Sequence, residues 1–163
     1  MISVKVKGIK TVQRNILNLK ERVADAVQQG VNEIADEILE VSRGFVPKDT
    51  TNLMNSSFVA APNYNGKYAV NSFIFDDKRK DAGRIGSDYN KAYRKYLRQS
   101  APKGTNSITQ YNAKVVYSAY YALEVHEVPK RYNNGNWKYL EMAANNVTYN
   151  MINLIANRVS KVL

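Results

Sequence analysis

"PKDTTNLMNSSFVA", residues 47–60, decides how the chain is read, because it stands between a long helical pattern and a long tract of tyrosines and strand formers. Two readings compete for it. A catalytic loop would use Asp49 with the hydroxyl of Thr50 or Ser56, and would need a base within hydrogen-bond reach held by a third group. A structural junction would use Pro47 to stop a helix and Asp49 with Thr50 to pin a turn through side-chain to backbone hydrogen bonds. Leu53 would then anchor the chain to the core, and Ser56 would open a strand.

Upstream, Val12, Ile16, Leu19, Val23, Val27, Ile34, Ile38 and Val41 recur at steps of three, four or seven, one apolar stripe along a single helix. The pattern predicts a helix over about 11–43, with Thr11 as N-cap, Gly44 as C-cap and Pro47 as the stop beyond it. Such a helix runs on the order of 50 Å. That outreaches any sheet this chain can build, so its overhang is expected to pack on another subunit. Gly30 is where it bends or admits a close neighbour. Before it, Ile2, Val4 and Val6 alternate with polar residues as a short strand ending at Gly8.

Downstream, residues 56–75 read as a hairpin turning at Asn65-Gly66, a pair that tolerates positive φ. Residues 111–117, "YNAKVVY", make a further strand. Residues 76–110 between them are too long and too charged for a hairpin connection and read as a basic insertion holding a short amphipathic helix. Tyr89, Tyr93, Tyr96 and Leu97 share one face of that helix. Finally Trp137, Leu140, Ala144, Val147, Met151, Leu154, Ile155 and Val159 predict one long C-terminal helix capped by Asn136. The order strand, helix, hairpin, strand, helix makes the fold α+β: a small antiparallel sheet packed against a long N-terminal and a C-terminal helix, as one domain over residues 1–163.

Composition bounds the chemistry. The 163 residues contain no cysteine and one histidine, which excludes thiol catalysis, disulfides and a histidine-rich metal site within one chain. That histidine, His126 in "YSAYYALEVHEVP", has Glu124 and Glu127 beside it, but no spacing demands a triad and no glycine-rich nucleophile turn is present. Asp76 and Asp77 precede Lys78, Arg79 and Lys80 and are neutralised by them. "GRIGSD", residues 83–88, lacks the lysine and hydroxyl of a phosphate-binding loop. We therefore expect no enzyme, no cofactor and no metal.

The net charge of +10 raises the odds of a polyanion nearby. It concentrates in residues 78–103, where Lys78, Arg79, Lys80, Arg84, Lys91, Arg94, Lys95, Arg98 and Lys103 stand against Asp81 and Asp88 for a local +7. Interleaved tyrosines suit either phosphate contact with base stacking or simple packing on the chain's own domain. No stretch approaches the roughly 18 apolar residues of a membrane helix. "MISVKVKGIK" has no apolar signal core, so the protein is expected to stay in the cytoplasm where it is made until it is assembled.

Three islands of sequence together resemble one family. "VPKDTTNLMNSSF" is similar to the Pro-x-Asp-Thr-Gly-x-Leu-x-x-Ser signature of tail-completion, or neck, proteins of long-tailed bacteriophages. Pro47, Asp49, Thr50, Leu53 and Ser56 match it, while Thr51 replaces the usual glycine. "VVYSAYYALEVHE" is similar to the family's Tyr-x-x-Tyr-Ala-x-x-x-Glu/His segment, through Tyr117, Tyr120, Tyr121, Ala122, His126 and Glu127. "WKYLEMAA" is similar to the opening of its last helix. The resemblance implies a non-enzymatic virion subunit, forming a ring that is commonly sixfold at the joint between head and tail. Its partners would be copies of itself, a head-side connector and a tail-tube or terminator protein.

Within that expectation the helix before residue 43 and the segment holding Tyr117, Tyr120, Tyr121, His126 and Glu127 are the candidate ring interfaces. Lys78, Arg79, Lys80, Arg84, Lys91, Arg94, Lys95 and Arg98 are the candidate contacts to packaged DNA or a neighbouring ring. The alternative is a free-standing, non-specific nucleic-acid-binding protein that uses the basic insertion.

Overall fold

In a computed structural model of the chain, residues 8–48, 51–62, 64–68, 80, 82–100 and 111–163 are described, with 97–100 by backbone alone. The strand expected over residues 2–6, the turn residues Asp49 and Thr50, and the second arm of the hairpin beyond Tyr68 lie outside them.

The N-terminal helix α1 (Ile9–Phe45) runs 37 residues, about 55 Å. Thr11 does not cap it. Gly8 does, at φ 94° in the left-handed region, with its carbonyl accepting the N–H groups of Thr11 (3.0 Å) and Val12 (3.1 Å). Gly44 does not end it either, and the helix continues through Phe45 to an extended Val46 at ψ 132°. The stop is set by Pro47, because the residue before a proline is driven out of the helical region.

After a four-residue helix α2 (Asn52–Asn55) comes strand β1 (Ser57–Ala60), which pairs antiparallel with β2 (Lys114–Tyr117), Ser57 opposite Tyr117 and Ala60 opposite Lys114. Every residue of β1 is buried, because both faces are covered. Val59 and Ala61 pack with Ala35 and Leu39 of α1, while Phe58 and Ala60 pack under helix α3 (Ala82–Ser100). The architecture is therefore α+β, with a sheet that has two strands among the described residues and lies between α1 and α3.

Asn65-Gly66 does not form the expected positive-φ turn. Tertiary contacts override the local signal: the Tyr64 hydroxyl donates to Asp36 on α1 and accepts the Tyr68 N–H (3.0 Å). The ring of Tyr64 then lies so close that a Cβ on Gly66 would meet it at 2.5 Å. Glycine serves close approach there. The Val59 N–H donates to the Tyr68 carbonyl at 3.2 Å, so the free edge of β1 is bonded by this segment.

Helix α4 (Ala122–Glu127) leads through the 129–138 loop to α5 (Tyr139–Thr148) and α6 (Met151–Ser160). The single C-terminal helix expected from the sequence is thus interrupted, since the Asn150 N–H bonds the Val147 carbonyl three residues back. Asn136 does not cap it: its N–H donates to Phe45 (2.7 Å), and Lys138, in the left-handed region at φ 57°, precedes the first turn. Both helices pack on α1. Tyr139 shares a core with Val46, and Ile155 lies against Gly30, so the pair runs antiparallel to α1. It stops short of the N-terminal end. The salt bridge from Arg158 to Glu33 fixes α6 laterally, its Nε at 2.9 Å.

Candidate functional site

The junction is built from its hydroxyls inward. The Ser56 Oγ is buried and donates to the Leu53 carbonyl at 2.7 Å, and the Ser57 Oγ donates to Met54 at 2.6 Å. Arg43, in the last turn of α1, donates to the same Met54 carbonyl and to Ser57 Oγ, at 3.0 and 2.9 Å. The Ser56 carbonyl accepts both the N–H and the hydroxyl of Ser118, each at 3.0 Å, which sets the register of β2. Leu53 is buried with Val46, Ile85, Ala119, Ala122 and Tyr139. The two serine hydroxyls of this motif are spent on backbone carbonyls, as a junction requires.

Two backbone positions there lie in the left-handed region. Thr51, where the phage signature has glycine, sits at φ 61°, a region costly for a β-branched residue. Gly135 sits at φ 102°, and a Cβ on it would fall 2.5 Å from the Cα and N of Pro47. Only glycine lets the 129–138 loop lie on the end of α1, where Lys48 N–H donates to Asn134 (3.1 Å). Between loop and junction is an open groove of about 580 Å³ lined by Lys48, Thr51, Tyr121, Arg131 and Tyr132 among others.

The residues of the expected interface segment divide between inside and outside. Tyr117 points inward: its hydroxyl shares a 2.7 Å hydrogen bond with Ser42, and burial raises its pKa to about 12. Tyr139, the first residue of α5, is the aromatic centre. Its ring meets Tyr117 and His126 edge-on at 4.9 Å each, and burial pushes its hydroxyl pKa upward. His126 turns its Nδ1 to Glu127 at 2.7 Å while its Nε2 is buried without a hydrogen-bond partner. Tyr121 is half-buried against the same core.

Tyr120 and Glu127 face outward. With Leu123 and Glu124 they fall at helical spacing on the outer face of α4, and Leu123 is 73% exposed. The Lys138 ammonium, 2.7 Å away, and the His126 ring hold the Glu127 carboxyl below its ordinary pKa.

Of the basic candidates, Lys78 and Arg79 lie outside the described residues, as does Lys103, and Arg98 is described by backbone alone. Lys80, Arg84, Lys91, Arg94 and Lys95 are exposed, and the last four share the outer face of α3. The Arg84 guanidinium stacks over Tyr120 at 3.9 Å. The tyrosines of α3 take the opposite face. Tyr89, Tyr93 and Tyr96 surround Phe58 with centroid separations of 5.3, 5.6 and 6.4 Å, so they pack on the chain's own sheet. Helix spacing groups these rings on one face, but whether that face meets bases or a sheet depends on Phe58, far away in sequence.

The longest run of exposed residues among those described is at the other pole. Every residue from Ile9 to Arg22 is exposed, about 20 Å of helix. Ile9, Val12, Ile16 and Leu19 project from it at three- and four-residue steps with 55, 57, 61 and 40% of their surface in water. Among the described residues no group of three His, Cys, Asp or Glu side chains is arranged to hold a metal ion, and no helix is long and apolar enough to cross a membrane.

Comparison of the chain with protein-family models, with curated proteins and with solved structures found no match.

Proposed function

We propose that this chain is a structural subunit of a tailed-phage virion. It would assemble with copies of itself into a ring, a hexamer, at the neck between head and tail, with a head-side connector and a tail-tube or terminator protein as neighbours. The observation that carries the proposal is the bare apolar pole of α1. A helix of 37 residues is ordered well beyond the C-terminal pair that covers it, and its exposed stripe continues the one buried under α6. Apolar side chains in a row this long mark a surface meant to be covered.

The three motif islands support the phage assignment. The Thr51 conformation adds to that support, because a glycine at this point of the signature would adopt the same left-handed turn at less cost. The hydroxyls of Ser56 and Ser57, both donated to backbone carbonyls, favour a structural role for these two residues over a nucleophilic one.

The free-standing nucleic-acid reading keeps one specific observation, the exposed row of Arg84, Lys91, Arg94 and Lys95 on α3. Its tyrosines being occupied by Phe58, such a face offers phosphate contacts without base stacking, which is non-specific and salt-sensitive binding. On a neck ring the same face would border the DNA path. Electron microscopy of particles made without this protein tests the main reading. Tailless heads beside free tails are expected, and complete particles would overturn it.

A further inference from the structure

Among the exposed apolar surfaces of the described residues, two lie toward opposite ends of α1, one bordered by cations and one by the carboxylate of Glu124. The first is the α1 stripe, Ile9, Val12, Ile16 and Leu19, on a segment carrying Lys10, Arg14, Lys20 and Arg22 against Glu21 alone. Those cations sit at the positive end of the helix macrodipole, with no acidic residue in the first turn to balance it. They do not serve the stability of α1, and by spacing Lys20 and Arg22 border the stripe on either side. The second face is the outer side of α4, where Leu123 and Val128 are 73 and 50% exposed beside the carboxylates of Glu124 and Glu127, with Tyr120 at its edge under the Arg84 guanidinium at 3.9 Å. Glu127 is engaged by Lys138, and Glu124 stands exposed.

We infer that these two faces bind each other between successive copies of the chain, the α1 stripe of one seating on the α4 face of the next. This rests on the reading that the protein assembles with itself. Apolar surface meets apolar surface, and Lys20 and Arg22 come to Glu124 at the rim. No copy can satisfy its own pair. Ala122 of α4 shares a core with Val46 at the far end of α1, about 45 Å along the helix from Ile16. Two different patches on one subunit make a head-to-tail contact, which either closes into a ring or grows as a filament. Pairing of two α1 stripes with each other is the other geometry the heptad spacing allows, but it sets two segments of net +3 side by side.

The absence of cysteine makes the contact directly testable. Ile16→Cys and Leu123→Cys are exposed positions, so neither change disturbs the core. The full-length double variant, oxidised as concentrated protein and in assembled particles, is expected to give a ladder of covalent multimers on a non-reducing gel. Neither single variant should. Reversing Glu124→Lys should weaken the ladder roughly tenfold, and adding Lys20→Glu should restore it. A disulfide dimer from Ile16→Cys alone would show two α1 stripes pairing and overturn the inference. So would no cross-link in either setting, although a neck role would survive if particles without the protein still lacked tails. A ladder together with complete particles in the protein's absence would keep the contact and discard the neck.

Discussion

Gly30 of α1 lies directly against Ile155 of α6: a Cβ on Gly30 would come within 3.1 Å of both the Cα and the Cγ1 of Ile155. That spacing sets how closely the C-terminal pair approaches α1. Glycine inside a helix costs roughly 0.5–1 kcal/mol relative to alanine, so its presence there reflects packing. Gly30→Ala trades that gain against a contact needing a small shift of α6, and should leave the urea midpoint near its starting value. Gly30→Leu forces the helices apart and should cost about 1–3 kcal/mol, read as a lower midpoint at unchanged slope.

The two left-handed positions at the junction predict opposite outcomes. Thr51 is exposed and at φ 61°, so Thr51→Gly loses no packing and relieves a left-handed penalty of about 1–2 kcal/mol, partly offset by glycine's greater unfolded-state entropy. A net gain of roughly 0.5–1 kcal/mol is expected in chemical denaturation. Gly135→Ala meets both a φ of 102° and the Pro47 backbone at 2.5 Å, and should cost more than about 2 kcal/mol. Equal effects from the two changes would refute this account of the clamp.

Alkaline pH should unfold the protein through its tyrosines. Tyr117, Tyr139, Tyr89 and Tyr64 all have pKa values raised, chiefly by burial, Tyr117 to about 12. The folded state disfavours the charged form, so the contribution is intact below the ordinary tyrosine pKa near 10 and is lost as pH rises toward the folded value. Each such group costs on the order of 1 kcal/mol per pH unit in that window. Stability should therefore be flat through neutral pH and fall steeply above about 10, with tyrosinate absorbance appearing cooperatively with loss of near-UV dichroism. Gradual ionisation of all tyrosines before unfolding would contradict it.

What was legible in the sequence followed from periodicity, and what was not depended on partners distant in the chain. The stripe from Val12 to Val41 predicts α1 to within two residues at each end. Its ends shift because Gly8, in the left-handed region, takes the N-cap position expected of Thr11, and because Pro47, not Gly44, decides the exit. The interruption at Tyr149 and Asn150 is invisible in the pattern, since Val147, Met151, Leu154 and Ile155 keep helical spacing across it. Asn65-Gly66 reads as a turn only until Tyr64 is placed against Gly66 by Asp36. At the candidate surfaces, sequence names the segments but not the facing. Tyr117 and His126 turn inward onto Tyr139, leaving Tyr120, Leu123, Glu124 and Glu127 to face water.

Helix α3 has two faces, and separating them tests both the fold and the charge. Its inner face holds Phe58, which is fully buried with three tyrosine rings around it, so Phe58→Ala should destabilise the chain by about 3–5 kcal/mol. Its outer face holds Lys91, Arg94 and Lys95, all exposed, with the Lys95 ammonium at the edge of the cage over the Tyr96 ring at 5.6 Å. Reversing those three to glutamate should leave the thermal midpoint nearly unchanged, because exposed charges contribute little to folding. Any affinity for duplex DNA should nonetheless fall, and with it the slope of binding against log salt, by about one unit for each phosphate contact removed. Titration at several salt concentrations separates the cases. Weakening independent of salt would mean the helix contributes shape and not charge, and an unchanged slope would remove α3 from the DNA path while leaving its packing on Phe58 untouched.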